Sequence, residues 1–270
     1  MELKEGGRRI HRHYDQHEHH VHHDQHGHLH EAAGKQASHA SATAEAAGKV
    51  HEGHEGKAAE KPAPEKKKGP FCKSKEEIMR LPLGEFRGRI ILAYTHEGAE
   101  RAAHELLREK MLGFDTETKP NFVKGRKQNP IGLIQISTLD RAYLFRVNET
   151  GMTPGLRMLL ESPHVVKIGQ AMKHELLTMK KELQVTGRGF IDLLDIAHKL
   201  ECDPKNVRAM TGIFLGFRIS KSMQVTNWEA RVLSEKQKRY AATDAWACLA
   251  VYREIERRGL LRNIRSNIHR

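Results

Sequence analysis

Residues 111–118 read MLGFDTET, and the alternating pattern of this stretch predicts a β-strand. Side chains two apart in a strand share a face, so Asp115 and Glu117 lie on the same side as Gly113. Neighbouring carboxylates on a covered strand repel each other and resist desolvation. A bound divalent cation would resolve this conflict; the alternative is a strand end at which both acids meet water.

The segments around this strand predict the fold class. Two further strand candidates follow it directly, IGLIQIST at 131–138 and AYLFRV at 142–147. Consecutive strands, followed by a strand among helices, are typical of an α/β domain with a mixed sheet flanked by helices. The remaining predicted elements are strands at 89–94 and 165–169 and helices at 97–110, 155–161, 173–183, 190–200, 205–215 and 234–258.

Residues 1–70 differ in composition from residues 71–270. They hold 13 of the 19 histidines, and EAAGK occurs there at 31–35 and again at 45–49. Because this segment has no apolar face to bury, it is predicted to be a disordered low-complexity tail. Imidazoles bind Zn²⁺, Ni²⁺ or Cu²⁺, but the irregular spacing defines no single geometry, so only non-specific binding is expected.

The formal net charge of +12 lies entirely in residues 71–270, because residues 1–70 carry equal numbers of acidic and basic groups. A basic folded domain favours a polyanionic partner, and nucleic acid is the first candidate. The three cysteines form no CxxC pair, the N-terminus lacks the apolar core of a signal peptide, and no apolar run has the length of a membrane span. The expectation is therefore no membrane segment, with the cytoplasm as the default location.

A stripe along the last predicted helix contains a second acidic anomaly. Tyr240, Asp244, Cys248, Val251 and Ile255 follow one another at spacings of four and three, so they lie on one helical face. The stripe is otherwise largely apolar, which places Asp244 on the face expected to pack inward. Aspartate is rarely buried without a partner. The alternative is a tilted stripe that lets Asp244 reach solvent at its margin.

A third acid, Glu175, falls in the first turn of the helix that follows VVKIG at 165–169. The helix dipole alone would favour an acid there. Asp192 and Asp195, in the segment FIDLLDIA, are the nearest other acids.

In combination, these motifs resemble the DEDD-type 3′→5′ exonucleases with a YxxxD third motif, in particular the ribonuclease D and Werner-syndrome exonuclease group. The resemblance covers about residues 71–270, the predicted exonuclease domain. It implies a ribonuclease H-like sheet flanked by helices and a phosphodiester hydrolase that shortens nucleic acid from the 3′ end. The matching segments are FDTET at 114–118, VKIG at 166–169 through Leu176, NWE at 227–229, LSE at 233–235 and YAATDA at 240–245.

The resemblance also implies a two-metal site with two Mg²⁺ or Mn²⁺ ions about 4 Å apart. Asp115 would bridge both ions, and Glu117 and Asp244 would complete the site of the ion that activates water. Glu175 would serve the other ion, and Tyr240 would orient the nucleophilic water or the scissile phosphate. Carboxylates suit these hard ions, whereas imidazoles and thiols do not.

Glu175 departs from the family pattern, which has aspartate at this position. The additional methylene lengthens the arm by roughly 1.5 Å. The resulting hypothesis is a site that binds metal but works below family norms, and better with Mn²⁺.

The nucleic acid is expected to contact basic side chains near the site, and Phe122 and Trp228 could stack on bases, although the family motif favours Trp228 in the core. Two other functions stay open: a nucleic-acid-binding scaffold with weakened or lost catalysis, and a metal-buffering His tail with a passenger domain. The choice between RNA and DNA is open as well. The predicted phosphate contacts are Lys124, Arg126, Lys127, Lys221 and Lys236.

Overall fold

The computed structural model describes residues 69–123 and 128–262. Within these residues six strands form one mixed sheet in the order β1-β4-β3-β2-β5-β6. Strand β3 runs antiparallel to both β2 and β4, and the other neighbours pair in parallel. The prediction of an α/β mixed sheet is confirmed. The strands are β1 Arg89–Ala93, β2 Met111–Thr118, β3 Ile131–Ser137, β4 Arg141–Phe145, β5 Val166–Gly169 and β6 Phe190–Asp192.

Helices cover both faces of the sheet. On one face, the core is shared with α2, α4 and α5; on the other it is shared with α6, α7 and α8. No helix in residues 69–123 and 128–262 is long and apolar enough to cross a membrane. The helices are α1 Lys75–Arg80, α2 His96–Leu106, α3 Val147–Thr150, α4 Pro154–Glu161, α5 Met172–Glu182, α6 Leu193–Lys199, α7 Val207–Met210 with a π-helix at Thr211–Leu215, and α8 Glu235–Arg257.

Strand β2 is central, and one of its faces packs in the first core while the other lies against α8. Leu112 and Phe114 are fully buried in the first core, where Phe114 meets Phe190 edge-on with ring centroids 5.0 Å apart. On the opposite face, a Cβ atom at Gly113 would lie 2.0 Å from the carbonyl oxygen of Ala245 in α8. Only a residue without a side chain allows the helix backbone to approach the strand this closely. Gly113 thus sets the distance between β2 and α8.

The segment before α8 is tied to the start of the helix by hydrogen bonds and packing. Ser234 caps the helix, and Gln237 completes a capping box by accepting from the Ser234 backbone N–H at 3.0 Å. The same Gln237 amide donates to the Asn227 carbonyl at 3.2 Å. Trp228 is fully buried, with its ring 6.0 Å from that of Tyr240. The segment before α8 therefore fixes the position at which the helix begins and the side chains of its second turn.

Two predicted helices differ from the structure. Residues 190–192 are the edge strand β6 and not the start of a helix, because their backbone pairs in parallel with β5. The helix begins only after Asp192, whose carboxylate accepts from Leu194 N at 2.8 Å. The helix expected over 205–215 is divided into α7 and a π-helix. A π-helical turn inside a helix frequently marks a functional site.

Lys167 in β5 is fully buried, and its ammonium group caps the end of α4. Nζ donates to the carbonyl oxygens of Leu159 at 3.2 Å and Ser162 at 2.7 Å. Burial lowers the pKa of Lys167 to about 8. The unfolded chain therefore binds one proton more than the folded protein between pH 8 and the ordinary lysine pKa of 10.5.

We expect the contribution of Lys167 to stability to rise as the pH rises from 8 to 10.5, since its pKa is depressed on folding. Urea unfolding of wild type and Lys167→Met should be compared across this range. The free energy of unfolding of wild type, relative to that of the variant, should rise by about 2 kcal/mol. Lys173→Met is the control, because Lys173 is exposed on α5. If the difference in unfolding free energy between wild type and Lys167→Met does not vary with pH, the lowered pKa of Lys167 is contradicted.

Candidate active site

Three carboxylates from two elements meet where α8 crosses β2. Asp115 and Glu117 come from β2, Asp244 comes from α8, and one oxygen of each lies within 4.8 Å of the others. The ladder between β2 and β3 shifts register between Glu117 and Thr118. Such an irregularity increases local twist and re-aims side chains. We call Asp115, Glu117 and Asp244 the carboxylate cluster.

The carboxylate cluster is electrostatically strained. Burial, followed by the charge of Asp244, raises the pKa of Asp115 well above its usual range. Burial and the charges of Asp115 and Asp244 raise the pKa of Glu117 to about 9. Burial also raises the pKa of Asp244 to about 6, although Arg208 and a hydrogen bond from Tyr240 oppose the shift. Each shift shows that the site favours added positive charge.

The cluster fits a hard divalent cation. Its donors are all carboxylate oxygens, which Mg²⁺ and Mn²⁺ prefer. The Oδ1 atom of Asp244 is buried and has no hydrogen-bond partner among the described residues. A buried carboxylate oxygen without a donor is costly unless a cation meets it. The residues present therefore match the ions that the sequence predicts.

Glu175 lies beside the carboxylate cluster but is not part of it. Its Oε2 atom accepts a hydrogen bond from the Thr116 hydroxyl at 2.5 Å. Its charge still contributes to the raised pKa of Asp115 and of Glu117. The structure thus brings together three of the four predicted metal ligands. The fourth, Glu175, is instead hydrogen-bonded to Thr116, which lies between Asp115 and Glu117 in β2.

The turn before Glu175 is fixed by Asp192. Ala171 adopts a left-handed conformation with φ of 55° and supplies no side-chain cap to α5. Instead, the Asp192 carboxylate accepts from Ala171 N at 2.9 Å and from Met172 N at 2.8 Å. Asp192 is therefore engaged by backbone N–H groups, which makes it a helix cap and not a substitute for Glu175.

Tyr240 lies one turn before Asp244 on α8, and each is 6% exposed. Both contact Arg208 of α7, whose guanidinium donates to the Tyr240 hydroxyl and, at 3.2 Å, to Asp244 Oδ2. Sequence reasoning missed Arg208, since one arginine in a predicted helix of a basic domain gives no spacing signal. The one available signal was the inward-facing Asp244, because a buried aspartate needs a cationic or hydrogen-bonding partner.

The predicted nucleic-acid contacts are only partly covered by the structure. Lys236 lines a cavity of about 320 Å³ together with Tyr240 and Asp244. Lys221 lines a neighbouring cavity of about 400 Å³ whose wall includes Arg208. Both lysines are exposed. Lys124, Arg126 and Lys127, like the His-rich tail up to residue 68, lie outside the described residues.

Comparison with known proteins identifies the family. Residues 90–259 match the family described as 3′-5′ exonuclease. The mouse bifunctional 3′-5′ exonuclease/ATP-dependent helicase WRN is 31% identical over 185 residues, which cover 65% of this chain but 13% of WRN. The structure of the Aedes aegypti Nibbler EXO domain superposes with a TM-score of 0.60 at 24% identity, covering 67% of this chain and 94% of that one.

A third comparison concerns a structure that contains nucleic acid. Trypanosoma brucei RNase D in complex with RNA U12 has a TM-score of 0.54 at 18% identity, with 63% of each chain covered. The two structural matches show a shared fold. The match over residues 90–259, which includes Asp115, Glu117, Glu175, Tyr240 and Asp244, shows that this chain belongs to the 3′-5′ exonuclease family.

Proposed function

We propose that this protein is an active 3′→5′ exonuclease that hydrolyses single-stranded or 3′-ended nucleic acid with divalent cations. The carboxylate cluster carries the proposal, because three acids, the half-buried Asp115 and Glu117 and the buried Asp244, converge in the part of the chain that matches the family. A scaffold without catalysis would gain nothing from keeping Asp115, Glu117 and Asp244 together against their mutual repulsion. The exonuclease is therefore favoured over the scaffold.

Each residue of the site has a proposed role. Asp115, Glu117 and Asp244 would hold Mg²⁺ or Mn²⁺, and Glu175, next to Thr116, would serve a second ion. The bound ions would supply charge stabilisation for the attacking and leaving oxygens of an in-line displacement. Tyr240 would direct its hydroxyl toward the attacking water or the scissile phosphate.

The nucleic acid would enter along two cavities, the first lined by α8 and the second lined by residues of α1 and α7. Lys236 lies at the first cavity and Lys221 at the second. Ammonium groups at these positions would contact backbone phosphates and make binding dependent on salt. Phe122 is 81% exposed and is available to stack on a base, whereas Trp228 is buried against Tyr240.

The direct test uses the full chain with single strands of RNA and DNA, each labelled at the 5′ or the 3′ end. Mg²⁺, Mn²⁺ and EDTA are compared in parallel. Stepwise shortening from the 3′ end that stops in EDTA would support the exonuclease and reveal the preferred sugar. Binding of the strands by folded protein without cleavage would support the scaffold instead.

We expect Glu175→Asp to raise the rate with Mg²⁺ by about 10-fold and the rate with Mn²⁺ less, because misplacement of a group by about 1 Å can cost 10²-fold. The shorter arm would also leave the Thr116 hydroxyl. Initial rates in each metal test this, with Glu97→Asp as the control, since Glu97 is an exposed acid in the first turn of α2. Unchanged rates in both metals would remove the idea that Glu175 limits the enzyme.

A further inference from the structure

Within residues 69–123 and 128–262, Arg208 is the charged group that contacts the carboxylate cluster and that the family motifs did not single out. Its backbone is held from two sides. The Gln170 side chain, directly after β5, accepts from Val207 N at the start of α7. The Thr211 hydroxyl donates to the Arg208 carbonyl at 2.7 Å. Because α7 is tied to the segment that precedes Glu175, the Arg208 side chain starts from a defined position.

The guanidinium of Arg208 is equally constrained, since it is 17% exposed. It donates to the carbonyl oxygen of Ser220, to the Tyr240 hydroxyl and to Asp244 Oδ2. Its central carbon also lies 5.4 Å from the centre of the Tyr240 ring. A planar fork with several donors can hold this arrangement, which an ammonium group cannot reproduce.

The two oxygens of Asp244 consequently have different partners. Oδ2 accepts from Arg208 at 3.2 Å. Oδ1 is buried and has no partner in residues 69–123 and 128–262. Oδ1 is therefore the oxygen that remains for a cation held with Asp115 and Glu117.

We propose that Arg208 is a positioning residue of this site, acting as the internal counter-ion of Asp244. The Arg208 guanidinium directs Asp244 Oδ1 toward Asp115 and Glu117. It also holds the hydroxyl of Tyr240, which lies one helical turn before Asp244. The role in turnover rests on the proposed exonuclease function, whereas the role as counter-ion does not.

The charge and the geometry of Arg208 have separate consequences. A fixed positive charge beside the cluster stabilises the cation-free carboxylates but repels an incoming divalent cation. Its hydrogen bonds hold Tyr240 and Asp244 in the arrangement that turnover needs. Loss of Arg208 should therefore strengthen cation binding while it slows the reaction, a combination that general damage to the site would not produce.

The experiment compares Arg208→Met, which removes the charge but keeps the length, with Arg208→Lys, which keeps the charge but loses the fork. Arg258→Met is the matched control. Arg258 likewise donates to a carboxylate, that of Glu254, and to a carbonyl, that of Phe214, and its central carbon lies 5.5 Å from the centre of the Phe214 ring. The full chain is titrated with Mn²⁺, and free Mn²⁺ is read by electron paramagnetic resonance. The His-rich tail is common to all variants, so its contribution cancels. Thermal unfolding in EDTA and steady-state cleavage of a labelled strand complete the set.

We expect Arg208→Met to bind Mn²⁺ about 5-fold more tightly at the cluster, since one repelling charge is lost. In EDTA it should unfold at a lower temperature than wild type, and Mn²⁺ should raise that temperature by more. Its kcat should fall by about 10²-fold with little change in KM. Arg208→Lys should keep the Mn²⁺ affinity of wild type to within about twofold but show a reduced kcat, because a lysine is a point charge.

Weaker Mn²⁺ binding by Arg208→Met would overturn the proposal. A kcat equal to that of wild type, or the same changes in Arg258→Met, would overturn it as well. If wild type itself does not cleave any strand, the exonuclease function fails. The Mn²⁺ affinities and the unfolding temperatures in EDTA still decide whether Arg208 is the counter-ion of Asp244.

Discussion

Gly113→Ala should reduce exonuclease activity by about 10²-fold or more, although Gly113 touches neither metal nor substrate. The added methyl group would meet the Ala245 carbonyl oxygen at 2.0 Å and the Ser137 hydroxyl at 2.6 Å. Backbone cannot rotate away as a side chain can, so α8 must move off β2. Asp244 precedes Ala245 on that helix and would move away from Asp115 with it. We also expect a loss of about 1–3 kcal/mol in unfolding free energy from the overpacked contact.

Gly132→Ala provides the comparison for this prediction. Gly132 is buried at the start of β3, but the nearest atom to an added Cβ there is 3.6 Å away, which is ordinary contact. Cleavage rates, Mn²⁺ affinity and urea unfolding should all stay close to wild type in this variant. Gly113→Ala with wild-type Mn²⁺ affinity and rate would show that the separation of β2 and α8 does not control the site.

Asp115→Asn should remove activity, by about 10³-fold or more, yet stabilise the protein in EDTA. Burial and the neighbouring charges raise the pKa of Asp115, so its contribution to folding is favourable below its ordinary pKa and is lost as the pH rises through the folded value. At pH 8 a neutral side chain of the same shape relieves this cost. The midpoint of urea unfolding should therefore be higher in the variant at pH 8 and approach that of wild type at pH 4.

Addition of Mg²⁺ should make wild type more stable than Asp115→Asn. An ion that binds only the folded state stabilises wild type more than a variant that lacks one of the carboxylates that hold the ion. Asp195→Asn is the control, since Asp195 is an exposed acid on α6. It should cleave like wild type and show no such dependence on pH or Mg²⁺. A variant Asp115→Asn that is less stable than wild type in EDTA at pH 8 would contradict the strained cluster.

The sequence predicted the elements that carry the site because each has a local signal. The alternation in 111–118 places Asp115 and Glu117 on one face of β2, and the spacing of the stripe from Tyr240 to Ile255 places Asp244 on the inner face of α8. Both patterns depend only on the geometry of one strand or one helix. The meeting of the two faces was implied by the family resemblance alone, and the structure shows that Gly113 permits it.

The remaining features depend on contacts between distant segments, which periodicity does not encode. Residues 190–192 form a strand only because β5 offers its edge. Arg208 reaches Asp244 across 36 positions of sequence, and no spacing rule predicts such a pair. The Glu175 side chain is turned toward Thr116 by a hydrogen bond that a single helix pattern cannot show.

Because of Asp192, the number of residues between α5 and β6 determines where the first turn of α5 lies relative to the site. One carboxylate binds the first N–H groups of α5 and also caps α6, so both helices take their starting points from a single residue on the edge strand. An insertion or deletion in residues 183–189 would slide Asp192 along β5 and carry the first turn of α5 with it. Variation in loop length there would change the reach of Glu175 as effectively as a substitution at position 175 itself.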